Sequence, residues 1–491
     1  PDRRSIIAVS PAEVTVSAAI HFHPEGYTTQ GPKLMGRNAA GESFLRGLLT
    51  HGRRGPLTVH VEQEAHARVF EALARQHGRE EPVEVVGAPN LPALSKAGAL
   101  YLPGPSLAEQ AWLRARTSPS AWSLCGITHT TASALAMDAI TALSTAPVHA
   151  WDALICTSNA VRSHVTTMLD AQEEHLRARL GATRFTRPQL PVIPLGVHAD
   201  DFRFTPDQRA AARRALGLGE DDRMVLFVGR LSFHAKAHPL PMYQALEAVA
   251  RRLPGRKLVL VECGWFANEP IRAAYEAAAQ AACPSVRRQV LDGRLPESRQ
   301  QAWAAADVFC SLSDNIQETF GIVPIEAMAA GLPVVASNWD GYRDTVRDGI
   351  DGVLVPTWMA PPGTGADLAF RHAAGIDSYD RYCGYTASHV AVDIDATARA
   401  LESLLTSPER CRAMGEAGRA RVAEHFDWKP LIARYEALWD ALAERRRAAG
   451  ALPPQVWPAR MDPFTGFQQY PSQPLRTDTR IVVTGPDALA R

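Results

Sequence analysis

Glu318 and Glu326 bracket seven residues in the run Glu318-Thr319-Phe320-Gly321-Ile322-Val323-Pro324-Ile325-Glu326. The apolar stretch Val308-Phe309-Cys310 leads into the polar segment Ser311 to Gln317, so the first carboxylate sits on a loop beyond a strand. Pro324 fits the first turn of a following helix, where a missing N–H costs nothing, and Gly331 closes that helix. A helix that starts beside a glycine presents unpaired N–H groups and a partial positive charge, so the backbone of Phe320-Gly321-Ile322 can hold a diphosphate. Glu326 is expected in the first helical turn, near that anion. A carboxylate only accepts hydrogen bonds, so Glu326 suits two neighbouring hydroxyls such as those of a ribose, and Glu318 can face whatever hangs from the far phosphate. Two glutamates at this spacing are by themselves ordinary helix surface; the Phe-Gly turn and the flanking strands give the pair its meaning.

Other residues fall where open α/β sheets bind ligands. Met224-Val225-Leu226-Phe227-Val228 is an apolar run broken by Gly229, which puts Arg230 at the carboxyl end of a buried strand, with Lys236 six residues on. Gly126-Ile127-Thr128-His129-Thr130 likewise ends a strand and places His129 at a carboxyl edge. Gly31-Pro32-Lys33-Leu34-Met35-Gly36-Arg37-Asn38 precedes a helical segment.

These residues in this context resemble the retaining glycosyltransferases of family 4. Enzymes of that family carry a Glu, seven residues, Glu motif, followed by a helix ending in Ala-Gly and then a strand. Here Ala327-Met328-Ala329-Ala330-Gly331 runs into Pro333-Val334-Val335-Ala336-Ser337. The resemblance implies a GT-B fold: two doubly wound Rossmann-like α/β domains facing across a cleft. It implies that Arg230 in Gly229-Arg230-Leu231, together with Lys236, grips a donor diphosphate, although Ser232 to His238 replaces the commoner short Pro-Glu-Lys-Gly turn. It places His129 near the primary hydroxyl of the donor sugar, and Gly36 and Arg37 on a loop approaching donor phosphate and acceptor. Many relatives have paired glycines at Gly36 and Arg37, so Arg37 is a candidate reader of a negatively charged acceptor. The implied reaction moves a sugar from a UDP- or GDP-sugar to a hydroxyl of a saccharide or glycoconjugate, with retention, without a metal and with no cofactor beyond the donor. Catalytic roles then fall to Glu318, His129, Arg230 and Lys236, and donor binding to Glu326, Phe320, Gly321, Ile322, Gly36 and Arg37. Two alternatives stay open: a sugar-nucleotide epimerase of the same architecture, and a non-catalytic nucleotide-sugar binding subunit.

The elements that must position these groups alternate along the chain. Apolar runs recur at 224–228, 257–262, 290–291, 308–312, 334–336 and 353–355, separated by helical or turn-rich segments, the pattern of a parallel sheet wound by helices. The amino half shows the same alternation at 6–9, 18–22, 57–61, 83–86, 99–102, 123–127 and 153–157, with helices expected over 38–51, 65–77 and 132–143. Two prolines and a glycine punctuate Leu190 to Val197, which marks a junction. The division expected is 1–196 for an acceptor domain and 197–430 for a donor domain, with an insertion at about 358–390. Residues 431–491 then form a helix crossing back to the first domain and an extended tail. Leu431, Tyr435, Leu438, Trp439 and Leu442 form a stripe at helical spacing, and ordinary core packing accounts for its aromatic members.

Composition narrows the function classes. The chain has 491 residues, 46% hydrophobic, enough for two or three cores, and a formal net charge of zero, so no global field favours nucleic acid. Seven cysteines are scattered singly with no CxxC pair, which reads as reduced thiols in the core of a cytoplasmic protein. Ile6-Ile7-Ala8-Val9 is too short for a signal sequence and no apolar run reaches about 18 residues, so contact with a membrane is expected to be peripheral at most. His21-Phe22-His23 puts two imidazoles on one strand face, but no matching set of ligands follows at metal spacing. The GxGxxG turn in its strand-helix context, the Walker motif and GxSxG are absent.

Overall fold

Alternating apolar runs and helices close into two parallel six-stranded sheets in the computed structural model, which describes residues 17–28, 36–482 and 485. The first sheet comprises β1 (Ala19–His21), β2 (Leu57–His60), β3 (Val83–Val86), β4 (Ala99–Tyr101), β5 (Ser123–Ile127) and β6 (Ala153–Ile155), in the spatial order β3-β2-β1-β4-β5-β6. The second comprises β7 (Arg223–Val228), β8 (Leu258–Gly264), β9 (Arg287–Asp292), β10 (Val308–Ser311), β11 (Val334–Ser337) and β12 (Gly352–Val355), in the order β12-β11-β10-β7-β8-β9. Helices cover both faces, so the strands are predominantly apolar, and β5, β6, β8 and β10 are buried along their whole length. Each sheet reverses its winding once, between β1 and β4 and between β7 and β10. A crevice opens beyond the strand ends at such a reversal, and ligands bind there. The fold is thus the expected pair of Rossmann-like halves. The strand expected at 6–9 and the loop Gly31 to Met35 lie outside the described residues.

The chain passes between the halves twice, at one place. Val197 N–H donates to the Phe426 carbonyl at 2.9 Å, and Trp428 N–H donates back to the Val197 carbonyl at 3.2 Å. Asp427 then caps the 22-residue helix Trp428–Ala449. That helix lies on Gly36–His51 of the first half: Trp428 Nε1 donates to Ser43 Oγ at 2.7 Å, and a Cβ at Gly47 would stand 2.7 Å from Trp428 Cγ. Tyr435 and Trp439 are fully buried beside Phe44 and Tyr101, the core role assigned to that stripe.

Two features depart from the sequence expectations. A 22-residue helix, Asn159–Leu180, follows β6 and is not among the segments expected from periodicity. Its clear signals are at its ends, a Ser158 N-cap whose hydroxyl accepts from Val161 N–H and Gly181 in the left-handed conformation. The insertion is also no mere loop. Its ends pair as an antiparallel ribbon, β13 (Thr357–Met359) with β14 (Val390–Val392), carrying helices Ala366–Ala373 and Tyr379–Ala387 between them. The tail after Leu452 is largely exposed and, rather than extended throughout, forms short helical turns at Pro458–Arg460 and Pro463–Gly466; it is held where Gln455 N–H donates to the Ala115 carbonyl at 2.7 Å and Trp457 stacks on Trp112.

Candidate active site

The reversal between β7 and β10 gathers the motif residues. β7 ends in Val228 and turns at Gly229, whose φ of 150° suits a residue without a side chain. Arg230 follows, half-buried, its guanidinium 3.4 Å from the Ala235 carbonyl. The loop then coils so that Lys236 points back toward β10. From β10 the chain passes through Ser313 and Asn315 to Glu318, and the two loops are stitched together. Asn315 Nδ2 donates to the His234 carbonyl at 2.9 Å, Ser313 Oγ donates to the Lys236 carbonyl at 3.3 Å, and His238 N–H donates to Asp314 Oδ2 at 3.2 Å. Their purpose is visible at the tip, where the Lys236 ammonium forms an ion pair with the Glu318 carboxylate. Burial depresses the Lys236 pKa, but the charge of Glu318 outweighs it, and the amine is held more firmly protonated than a free lysine.

Gly321 starts the helix Ile322–Ala329 with a φ of 78°. The ring of Tyr342 lies over it, and a Cβ at Gly321 would meet Tyr342 Cε1 at 2.0 Å. Tyr342 is itself tied to β10, its hydroxyl 2.9 Å from Ser311 Oγ. Phe320 is core, 1% exposed and packed near Phe426, so its backbone and not its ring is available to the cleft. The first-turn amides have no intrahelical partner. One expectation needs correction: because the helix begins at Ile322, Glu326 is its fifth residue and stands in the second turn. The carboxylate therefore lies one turn deeper than the helix end. Burial pushes the Glu326 carboxyl up to about 7, with the charges of Arg299 and Lys236 pulling the other way. Gly331 closes the helix at a φ of 77°, as expected.

Groups that sequence reasoning missed come from distant segments. Arg299, on helix Pro296–Ala305, carries its charge near Glu326, and its guanidinium holds the turn after β9 through the Gly293 carbonyl at 2.7 Å. Asp340, beside Glu318, is the one described non-glycine residue with positive φ, 43°. Burial, reinforced by the Glu318 charge, pushes its carboxyl up to about 8. Asp340 also reaches the other half: Ser158 Oγ donates to it at 3.2 Å. Asp344 completes that contact, accepting from Asn159 N–H at 2.6 Å and from Asn159 Nδ2 at 3.1 Å, so a carboxylate of the second half caps a helix of the first. No spacing rule in the sequence links 158–159 with 340–344.

On the opposite wall, His129 is half-buried just beyond β5. Its neighbour Thr130 shares a 3.0 Å hydrogen bond with the hydroxyl of Tyr379 from the insertion, and the Tyr379 phenol in turn feels the charge of Arg230. The insertion therefore bridges the two walls between His129 and Arg230. Gly36 is exposed at the start of helix Gly36–His51 with Arg37 next to it. The two imidazoles of His21 and His23 part company: His21 Nδ1 lies 2.8 Å from His60 Nδ1, and His23 accepts from Glu25 N–H. Among the described residues no group of three His, Cys, Asp or Glu side chains could hold a metal, and no helix is long and apolar enough to cross a membrane.

This arrangement offers cations and amide dipoles to an anion, with carboxylates on either side of it for hydroxyls. The comparisons with known proteins agree in kind. Residues 208–359 match the family described as Glycosyl transferases group 1. A D-inositol 3-phosphate glycosyltransferase from Segniliparus rotundus is 33% identical over 270 residues, 54% of this chain and 49% of the relative. A GDP-mannose-dependent alpha-(1-6)-phosphatidylinositol monomannoside mannosyltransferase from Mycolicibacterium smegmatis is 30% identical over 281 residues, 56% of this chain and 62% of the relative. The chain thus matches about half the length of these curated relatives. Among solved structures, Anabaena HepE in complex with UDP superposes with a TM-score of 0.54 at 16% identity, covering 86% of this chain and 100% of that one. Sucrose-phosphate synthase from Thermosynechococcus elongatus gives 0.51 at 18% identity, covering 87% and 99%. These structures share the fold.

Proposed function

We propose that residues 208–359, which carry a glycosyltransferase group 1 domain, bind a nucleoside diphosphate sugar and that the chain transfers the sugar, with retention, to a hydroxyl of a saccharide or glycoconjugate. The observation that carries this reading is the ion pair of Lys236 with Glu318 beside the Gly321 turn, at the sheet reversal where a diphosphate would lie. In this reading Glu326 takes the ribose hydroxyls. Arg230, Lys236 and the amides of Phe320, Gly321 and Ile322 take the diphosphate, and Glu318 takes hydroxyls of the sugar ring. His129 faces the sugar from the other wall, with Gly36 and Arg37 on the acceptor side.

As the anomeric C–O bond breaks, negative charge grows on the leaving diphosphate, and prepositioned cations and dipoles stabilise that state more than the ground state. The acceptor oxygen bonds to the same face of the anomeric carbon, and its proton passes to a phosphate oxygen of the leaving group. The cations at the diphosphate make a metal unnecessary in this scheme, and the donor is the only small molecule required. The names of the relatives make GDP and UDP the first nucleotides to try, and a phosphorylated cyclitol an acceptor to include with saccharides. Calorimetric titration of UDP, GDP and ADP, repeated with Glu326→Ala, tests the reading. One nucleotide should bind tightly and bind more weakly to the variant; equal binding to both proteins would remove Glu326 from the site. Product analysis without acceptor separates transfer from epimerisation, and NMR of the product's anomeric proton tests retention.

A further inference from the structure

The loop that carries Lys236 has a second face. Lys236 turns toward Glu318, whereas His234, two residues earlier, turns outward to within 3.9 Å of the Asp380 carboxylate on the insertion helix Tyr379–Ala387. Between that helix, the loop and the start of helix Leu240–Arg252 lies a cavity of about 730 Å³, within the range that holds small organic ligands. Its lining includes Phe233, His234, Gln244, Asp314, Asp380 and Tyr385. The helix is seated very close: a Cβ at Gly384 would stand 2.9 Å from His234 Cβ. Asp314, only 4% exposed, has Oδ2 on the His238 amide, but its Oδ1 has no hydrogen-bond partner. A buried carboxylate oxygen left unpaired is costly, and a ligand that donates a hydrogen bond removes that cost.

We propose that this cavity is a saccharide-binding pocket, distinct from the donor site on the other face of the loop. Arg381 and two histidines share the lining with the two carboxyl groups, so its charges are mixed and select neither an anion nor a bare cation. A pyranose fits both the polar and the apolar parts of the lining. Its hydroxyls donate to Asp314 and Asp380 and exchange hydrogen bonds with Gln244, while its C–H face covers the rings of Phe233 and Tyr385. Occupancy would bear on the donor loop, because Asp314, Ser313 and Asn315 are the residues that stitch the Lys236 loop to the Glu318 loop. The proposal goes beyond the donor-site reading and does not depend on it.

Saturation-transfer NMR on the full chain tests it, with methyl α-D-mannopyranoside, methyl α-D-glucopyranoside and maltose as probes, tetramethylammonium as a cationic control, and excess UDP and GDP added to fill the cleft. At least one sugar should bind, and the double variant Asp380→Ala/Tyr385→Ala should weaken it by about tenfold or more with melting temperature and nucleotide binding unchanged. Both residues are exposed, so the variant should fold. Three outcomes overturn the proposal: no sugar binds, a sugar binds equally well to the variant, or only tetramethylammonium binds. Failure of the donor-site reading would show separately, as absence of UDP and GDP binding by calorimetry.

Discussion

In the proposed reading the side chains at the β7/β10 crevice act through charge, and their removal should separate activity from folding. Among the described residues, the Arg230 guanidinium makes one hydrogen bond, a long one to its own loop. Arg230→Ala is therefore expected to lower kcat/KM by about a hundredfold to a thousandfold, as loss of one prepositioned donor does, with an unchanged melting temperature. A drop in melting temperature large enough to account for the lost activity would reassign Arg230 to the fold. The raised carboxyls make a second prediction. Asp314 and Glu326 are pushed up to about 7 and Asp340 to about 8, all chiefly by burial. A carboxyl whose pKa is raised by folding holds its proton in the native state after the unfolded chain has released it. Stability is then present at low pH and is lost as pH rises through the folded value. Buried His60 and His198, both pulled down to about 4, act in the opposite sense, and their effect is complete near the ordinary histidine value of about 6.5. The window from about pH 6.5 to about 8 thus isolates the carboxyls. The melting temperature of the ligand-free protein should fall across it, and less steeply in Glu326→Gln and Asp340→Asn; a flat profile would mean that these groups are ionised in the fold.

Among the elements, the start of helix Ile322–Ala329 is the least tolerant of change. Gly321 combines a φ of 78° with the ring of Tyr342 at its face, so Gly321→Ala meets both backbone strain and a clash. A loss of about 2 to 4 kcal/mol in denaturant unfolding is expected, together with weakened nucleotide binding, because the turn that presents the amides must shift. Gly349 makes a useful control. It has a similar φ, 75°, with open space around it, so Gly349→Ala should cost only the strain, about 1 kcal/mol. Equal losses at the two positions would mean that Tyr342 moves aside without penalty. This helix was largely legible beforehand, since Gly321, Pro324 and Gly331 are local end signals. Its start was misjudged by enough to move Glu326 from the first turn to the second, because a proline is tolerated at more than one first-turn position. The helix Asn159–Leu180 was missed for a related reason: its buried residues, Val161, Val165, Leu169 and Glu173, make a narrow stripe ending in a buried carboxylate, so apolar periodicity is weak.

Across the whole molecule, the two halves meet at a covalent crossing, where Val197 pairs with Phe426 and Trp428, and at non-covalent contacts that include, on the cleft side, Ser158 and Asn159 with Asp340 and Asp344. The first cannot open without breaking the chain's own pairing; the second can. Asp344→Ala should therefore shift the molecule toward an open arrangement, seen as a larger radius of gyration in small-angle scattering. Turnover should fall while nucleotide affinity changes by less than about threefold, because Glu326, Arg230, Lys236 and the Phe320 to Ile322 amides, proposed to hold the nucleotide and its diphosphate, all belong to one half. An unchanged radius would show that the insertion, through Tyr379 and Thr130, is enough to hold the halves together.

The sequence alone determined the two helix-wound parallel sheets, the Glu318 to Glu326 turn, and the strand-end positions of Arg230 and His129. Each of these depends on neighbours within a few residues, through strand alternation, helix capping and the special conformations of glycine and proline. Tertiary structure alone decided that Lys236 pairs with Glu318, that Arg299 stands by Glu326, that Asp340 and Asp344 reach the first half, and that the insertion folds over His234 to enclose a cavity. Those contacts join segments tens to hundreds of residues apart. Charge and hydrogen-bonding capacity are written at each position, but the partner is chosen by where two doubly wound sheets bring their loops.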